Sequence, residues 1–252
     1  MPASEVVLTE ERGNVLVVTL NRPAARNAVD RALADGLCEA LARLDDEPGL
    51  SVGVLTGAGG TFCAGMDLKA FLRDGPPTSL VELTKVGTVK PLVAAVEGYA
   101  MGGGLELVLL CDLVVAARGA RLGVPEARVG LFAAGGGLLR LPHRLPYCVA
   151  AELALTGEPI TAEAAHAHGL VNRLADDGDA LAVALEVAEA VARNAPLSLA
   201  AGKHLLRQSV AGPEDRFWEV QAAWMDRVFA SEDAKEGPLA FAEKRPPSWR
   251  GR

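Results

Sequence analysis

The sequence predicts an α/β fold, and three observations carry that reading. Short β-type apolar runs alternate with a helical stretch from residue 15 to about residue 125, the order expected of parallel strand pairings. Beyond Gly135 the pattern turns helical. Hydrophobic residues make up 50% of the 252 positions, enough to bury one large core.

The elements follow in order. Residues 5–20 read as a hairpin: Val6 and Leu8 alternate with polar neighbours, Gly13-Asn14 supplies the turn, and V-L-V-V-T-L is a more buried strand. Asn21-Arg22-Pro23 breaks that strand, because proline lacks a donor and restricts its predecessor. From Asn27 onward Val29, Leu33, Leu37, Ala40, Leu41 and Leu44 recur at helical spacing, until Pro48-Gly49 ends the run. S-V-G-V-L-T (51–56) is a buried strand, and G-A-G-G-T-F-C-A-G-M-D-L is a glycine-rich link without a Walker ending. Gly75-Pro76-Pro77 marks a loop, residues 91–96 and 112–116 are strands, and residues 121–124 suit a further short one. Helices are expected over 147–155, 161–168, 179–194, 196–210 and 214–229, with Thr161 as a cap and Pro196 in a first turn. A boundary near Asn194 divides a core (1–194) from a helical C-terminal region (195–252), whose charged tail suits a surface or an interface.

Composition excludes several functions. A net charge of −7 without a basic run argues against nucleic acid as a partner. Cys38, Cys63, Cys111 and Cys148 have no metal-type spacing, and two-apart His166 and His168 do not share a helix face, so no metal site is expected. His143 and His204 are expected to be exposed. Residues 91–117 are the most membrane-like stretch but hold Glu97, Glu106 and Asp112, each costing roughly 2.5–3.5 kcal/mol at mid-bilayer. No secretion signal is visible at the N-terminus, so a cytoplasmic protein off the membrane is expected.

Three motifs are left to carry chemistry. The first is F-C-A-G-M-D (62–67), small residues at a strand exit before a helix start. The second is Gly102-Gly103-Gly104 followed by Glu106; a glycine-rich turn before a helix leaves its first N–H groups open to negative charge. Alone, this also reads as a tight turn before a buried helix. The third is V-P-E-A (124–127), where Glu126 suits either chemistry or a helix N-terminus.

Together these motifs are similar to those of the enoyl-CoA hydratase/isomerase family, the crotonases. The resemblance spans N-R-P-A-A-R-N-A (21–28), F-C-A-G-M-D-L, G-Y-A-M-G-G-G-L-E-L, P-E-A-R-V-G-L, T-G-E-P-I-T-A-E-A-A-H-A-H-G-L-V-N and F-A-E-K-R, essentially the full chain. It implies a crotonase-like spiral of ββα units, a helical C-terminal oligomerisation region, and homotrimers or dimers of trimers. It implies an acyl-CoA substrate and no separate cofactor, coenzyme A being part of the substrate. The implied oxyanion hole is the backbone N–H groups of Met66 and Gly103, with Glu106 holding water and Glu126 supplying a proton to C2. Arg26, Ala64, Met66, Asp67, Leu68 and Lys69 are the implied substrate contacts, with Lys244 or Arg245 added from a neighbouring subunit. Both glutamates together favour hydration of a trans-2-enoyl-CoA over Δ3–Δ2 isomerisation, which needs Glu126 alone. F-A-A at 132–134 and the short 69–90 segment depart from many hydratases, leaving room for a functionalised substrate such as crotonobetainyl-CoA. A non-catalytic CoA-binding or RNA-associated protein is the remaining alternative.

Overall fold

A computed structural model describes residues 6–75, 77–211, 223, 227, 230–233, 236, 240 and 243–252. The expected hairpin is present. β1 (Val7–Arg12) and β2 (Val15–Leu20) pair antiparallel, Arg12 opposite Val15, around Gly13 at φ +59°. Positive φ is a conformation that glycine adopts without a Cβ penalty.

Four more strands extend the sheet in parallel: β3 (Val52–Gly57), β4 (Leu92–Val96), β6 (Leu113–Ala117) and β9 (Arg173–Ala175), in the order β1-β2-β3-β4-β6-β9. The continuous apolar runs of β3, β4 and β6 are explained by burial on both faces. Leu16, Val18, Leu55, Ala94 and Val114 join one core with Leu33, Leu37 and Leu41 of α1 (Arg31–Asp46). The alternate residues Val15, Val52, Val54, Val93, Ala95 and Val115 face Ala184, Val187 and Ala188 of α8 (Ala180–Ala192).

A second, shorter ladder runs beside the sheet. β5 (Tyr99–Met101) pairs parallel with β7 (Arg121–Gly123), and β7 pairs antiparallel with β8 (Ile160–Thr161). The bridges Cys63↔Ala100 and Val29↔Met66 continue this ladder through the 62–66 link. Main-sheet strand, short second-layer strand and helix therefore recur. β4–β5 leads into α4 (Gly103–Leu110), and β3 leads through Cys63 into α2 (Leu68–Asp74). This is the expected ββα spiral.

Several expectations are corrected. The first helix starts at Arg31 rather than Asn27, because Arg26 and Asn27 are left-handed (φ +50° and +56°) and Asp30 caps Leu33 N–H at 2.9 Å. Val29 belongs to the bridge with Met66 instead. α2 follows the 62–67 motif as expected, whereas α3 (Thr78–Val86), beyond the expected loop near Gly75, adds a helix that was not foreseen. Sequence reading overlooked β5, β9 and α5 (Gly137–Arg144), whose periodicity is interrupted by Pro142. The later helices are α6 (Tyr147–Thr156), α7 (Ala162–Ala167), α8 and α9 (Pro196–Ala211), with Thr161 Oγ1 capping Ala164 N–H as expected. The helix expected over 214–229 lies almost wholly outside the described residues.

Asn27 secures the turn that carries Val29 to Met66. Its side chain is fully buried; the amide oxygen accepts from Arg22 N–H at 2.9 Å, and the amide nitrogen donates to Ala58 O at 2.9 Å and Thr61 O at 2.6 Å. Unpaired buried groups cost about 1–3 kcal/mol each, and Asn tolerates the left-handed region better than Ala. Asn27→Ala therefore loses about 3 kcal/mol or more, seen as a melting temperature lower by several degrees; an unchanged melt contradicts this role.

Candidate active site

The site begins with backbone geometry. Val29 N–H donates to Gly65 O at 2.7 Å and Asp67 N–H to Val29 O at 2.9 Å. Residues on either side of Met66 thus bond to Val29, and strand alternation turns the Met66 N–H to the opposite side. On that side, Cys63 N–H donates to Tyr99 O at 2.9 Å and Met101 N–H to Cys63 O at 3.0 Å. Gly65 sits at φ +101°, where a Cβ would lie 2.8 Å from Met101 O.

Each glycine of the 102–104 triplet answers a different neighbour. Gly102, at φ +55°, faces Glu126, whose Oε1 is 3.1 Å from where a Cβ would stand. At Gly103 that position is 3.7 Å from Met66 N and 4.0 Å from Glu106 Oε2. At Gly104 a Cβ would collide with the Cys63 carbonyl oxygen, so the helix and the 62–66 link touch backbone to backbone. Gly103 opens α4, and a helix's first N–H groups have no intrahelical acceptor. Among the described residues, no hydrogen bond leaves the Met66 or the Gly103 N–H. Two free donors therefore stand side by side.

Glu106 lies one turn into α4 and is only 7% exposed. Its Oε1 accepts from Gly137 N–H at 2.9 Å. Gly135 and Gly137 crowd the same carboxylate, since Cβ atoms there would lie 2.7 and 3.0 Å from Oε2 and Oε1. Burial raises the carboxyl above its ordinary range; the Gly137 and Gly135 N–H groups and the Arg140 charge oppose that rise. Glu126 stands in the 3-10 turn Pro125–Val129. Burial raises its pKa as well, its own backbone N–H opposes the rise, and the charge of Glu106 adds to it. Its Oε2 is buried with no partner among the described residues. A buried oxygen without a partner is rare outside sites where something else supplies one.

The other expected contacts divide. Ala64 N–H donates to Arg26 O at 3.0 Å, which places the exposed Arg26 beside the 64–66 link. Leu68 and Lys69 are exposed in the first turn of α2. Asp67 is already engaged: it accepts from Lys69 and Ala70 N–H at 3.2 Å each and pairs with Arg22 at 3.1 Å, bonds that lower its pKa against its burial. Arg245 pairs with Glu236 at 2.6 Å and Glu243 at 2.5 Å. Sequence reading overlooked Gly135, Gly137 and Arg140 around Glu106. The signal for the first two was a second glycine triplet, G-G-G at 135–137, as conspicuous as the first. Among the described residues, no group of three His, Cys, Asp or Glu side chains could hold a metal ion, and no helix is long and apolar enough to cross a membrane.

The raised carboxyls carry a signed consequence for stability. As pH rises past the ordinary carboxylate range the unfolded chain releases the Glu126 proton first, so stability falls until the folded-state pKa is passed. Glu126→Gln removes that penalty: its melting temperature exceeds wild type at about pH 8 and shows no such gain at about pH 4. A gain independent of pH contradicts the assignment.

The profile of the enoyl-CoA hydratase/isomerase family matches residues 10–252. The chain is 42% identical over 256 residues to "Enoyl-CoA hydratase EchA19" of Mycobacterium tuberculosis, covering 97% of this chain and 96% of that one. It is 39% identical over 255 residues to "Carnitinyl-CoA dehydratase" of Proteus mirabilis, with 96% and 97% covered. A crystal structure of an enoyl-CoA hydratase from M. tuberculosis H37Rv superposes with a TM-score of 0.94 at 50% identity, covering 98% of this chain and all of that one. The chain belongs to the enoyl-CoA hydratase/isomerase family, the crotonases.

Proposed function

We propose that the protein is an enoyl-CoA hydratase, adding water across the 2,3 double bond of a trans-2-enoyl-CoA. The observation that carries this reading is the meeting of one buried and one half-buried carboxylate, both raised in pKa, with two free backbone N–H donors. The Met66 and Gly103 N–H groups donate to the thioester oxygen, which gains negative charge as the reaction proceeds. Donors of this kind contribute about 2.7–4 kcal/mol each. Glu106, ionised, takes a proton from water as its oxygen bonds to C3. The C2–C3 electron pair moves into the enolate, and Glu126, protonated, delivers its proton to C2. The resting state returns when Glu106 gives up its proton and Glu126 regains one. Each proton transfer contributes about 10²–10⁴-fold. The orphaned Glu126 Oε2 supports an acid that faces substrate.

Coenzyme A enters with the substrate, and no separate cofactor is required. Arg26 and Lys69 supply positive charge to its phosphates, and Ala64, Met66 and Leu68 line its path. Asp67 acts one step back, holding Arg22 and capping α2. Residues 195–252 form the oligomerisation region of a trimer or a dimer of trimers working in the cytoplasm, with Lys244 reaching a neighbouring subunit's substrate. The relatives named carnitinyl-CoA dehydratase favour a second reading, in which the enoyl group carries a quaternary ammonium, as in crotonobetainyl-CoA.

Loss of the enoyl-thioester absorbance tests both readings. Wild type hydrates crotonyl-CoA, and Glu106→Gln and Glu126→Gln each lower kcat by at least about 10²-fold. Turnover of crotonobetainyl-CoA alone selects the second reading. Loss of 3-enoyl-CoA isomerisation in Glu126→Gln only, without hydration by wild type, makes the protein an isomerase. Turnover of none of these substrates overturns the proposal.

A further inference from the structure

Glu106 is held by a loop that is itself held by something else. The loop is Gly135–Gly137, and the group fastened over it is the guanidinium of Arg140. Arg140 Nη1 donates to Gly135 O at 3.4 Å, and Nη2 donates to Thr84 O. A Cβ at Gly136 (φ +94°) would collide with Arg140 Nη1, so the guanidinium lies directly against the loop backbone. Thr84 is in the last turn of α3, whose final carbonyls have no intrahelical donor. One side chain thus joins the end of α3 to the loop that donates to Glu106.

We propose that Arg140 is a positioning residue for Glu106. It fixes the Gly135–Gly137 loop against α3, so that the Gly137 N–H meets Glu106 Oε1, and its charge favours the ionised form of that carboxyl against burial. The neighbouring charges do not substitute for it. Arg144, on the same helix, donates to Cys111 O, and Arg207 on α9 donates to Leu110 O and pairs with Asp112 at 3.3 Å. Lys203 on α9 pairs with Asp112 at 2.7 Å. On α3, Lys85 and Glu82 pair with each other and are exposed; on α6, Glu152 is exposed. The charge of Glu106 in turn raises the pKa of Glu126. Among the described residues, Arg140 is the cation that lowers the Glu106 pKa, and its own pKa is lowered by burial and then by Arg207 and Arg144.

The inference rests on the hydratase reading for its kinetic consequences, and a titration separates the two. Glu106 is followed by carboxyl ¹³C NMR, assigned by its loss in Glu106→Gln, in wild type, Arg140→Gln and Arg140→Lys. In Arg140→Gln the Glu106 resonance titrates at higher pH, and the acid limb of the kcat profile moves up with it while KM is little changed. In Arg140→Lys the charge survives but the bridge between two carbonyls does not. The limb then stays in place and kcat falls about tenfold or more. If wild type hydrates nothing but the Glu106 resonance still moves in Arg140→Gln, the hydratase reading fails and the role of Arg140 stands. If Arg140→Gln does not fold, Arg140→Lys decides through kcat, or through loss of the Glu106–Gly137 hydrogen bond in the Gly137 amide shift where there is no turnover. An unmoved titration in Arg140→Gln, or wild-type kcat and an unmoved Gly137 amide in Arg140→Lys, overturns the proposal.

Discussion

Everything in the site depends on backbone pairing along residues 62–67. This link is bonded on one side to Val29 and on the other to Tyr99–Met101. Being held on both sides, it cannot rotate, and the Met66 N–H keeps one direction. The helix bearing Gly103 and Glu106 is pressed against the same link at Gly104, so donor and carboxylate share one frame. That contact admits only glycine, and the buried Cys63 side chain fills the space beneath it, its thiol pushed up to about 12 by burial and therefore inert at neutral pH. Preorganisation of this kind needs no reorganisation when charge develops on a bound thioester.

The same architecture works against stability at two points. A buried carboxylate disfavours its charged form, and a second one nearby makes ionisation of both harder still. Nothing in the packing requires Glu126 to be acidic, since one of its oxygens has no partner among the described residues. The acid is therefore a functional-site candidate that the fold tolerates. Glu106 is treated differently: two glycines make room for it, one N–H meets it, and a guanidinium stands behind that loop. The two carboxyls thus meet opposing influences of different kinds: N–H groups and a guanidinium at Glu106, the Glu106 charge at Glu126.

Much of this was legible in the sequence, and the rest was hidden for identifiable reasons. Apolar runs of five or six residues buried on both faces marked β2, β3, β4 and β6, and periodicity marked α1. β5 and β9, at three residues each, show no period of their own, and β5 runs straight into the glycine triplet that reads as a turn. The start of α1 was misplaced because Val29 fits helical spacing, whereas the left-handed Arg26–Asn27 pair spends it on a bridge. For the site, the motifs pointed to Met66, Gly103, Glu106 and Glu126, and all four come together. Asp67 reads as a contact by its place in the motif, but its carboxylate is consumed by Arg22 and a helix cap. The support for Glu106 escaped notice because it comes from a distant turn, and sequence order says nothing of what folds against a carboxylate.

The central claim is that the Met66 and Gly103 N–H groups converge on one oxygen. Its most direct test is the infrared difference spectrum of a saturated acyl-CoA, carbonyl-¹³C-labelled and unable to be hydrated, bound to the protein. Two convergent donors polarise the thioester carbonyl, and its stretch moves to lower wavenumber than in water. A bound carbonyl with the frequency of the free thioester contradicts the account.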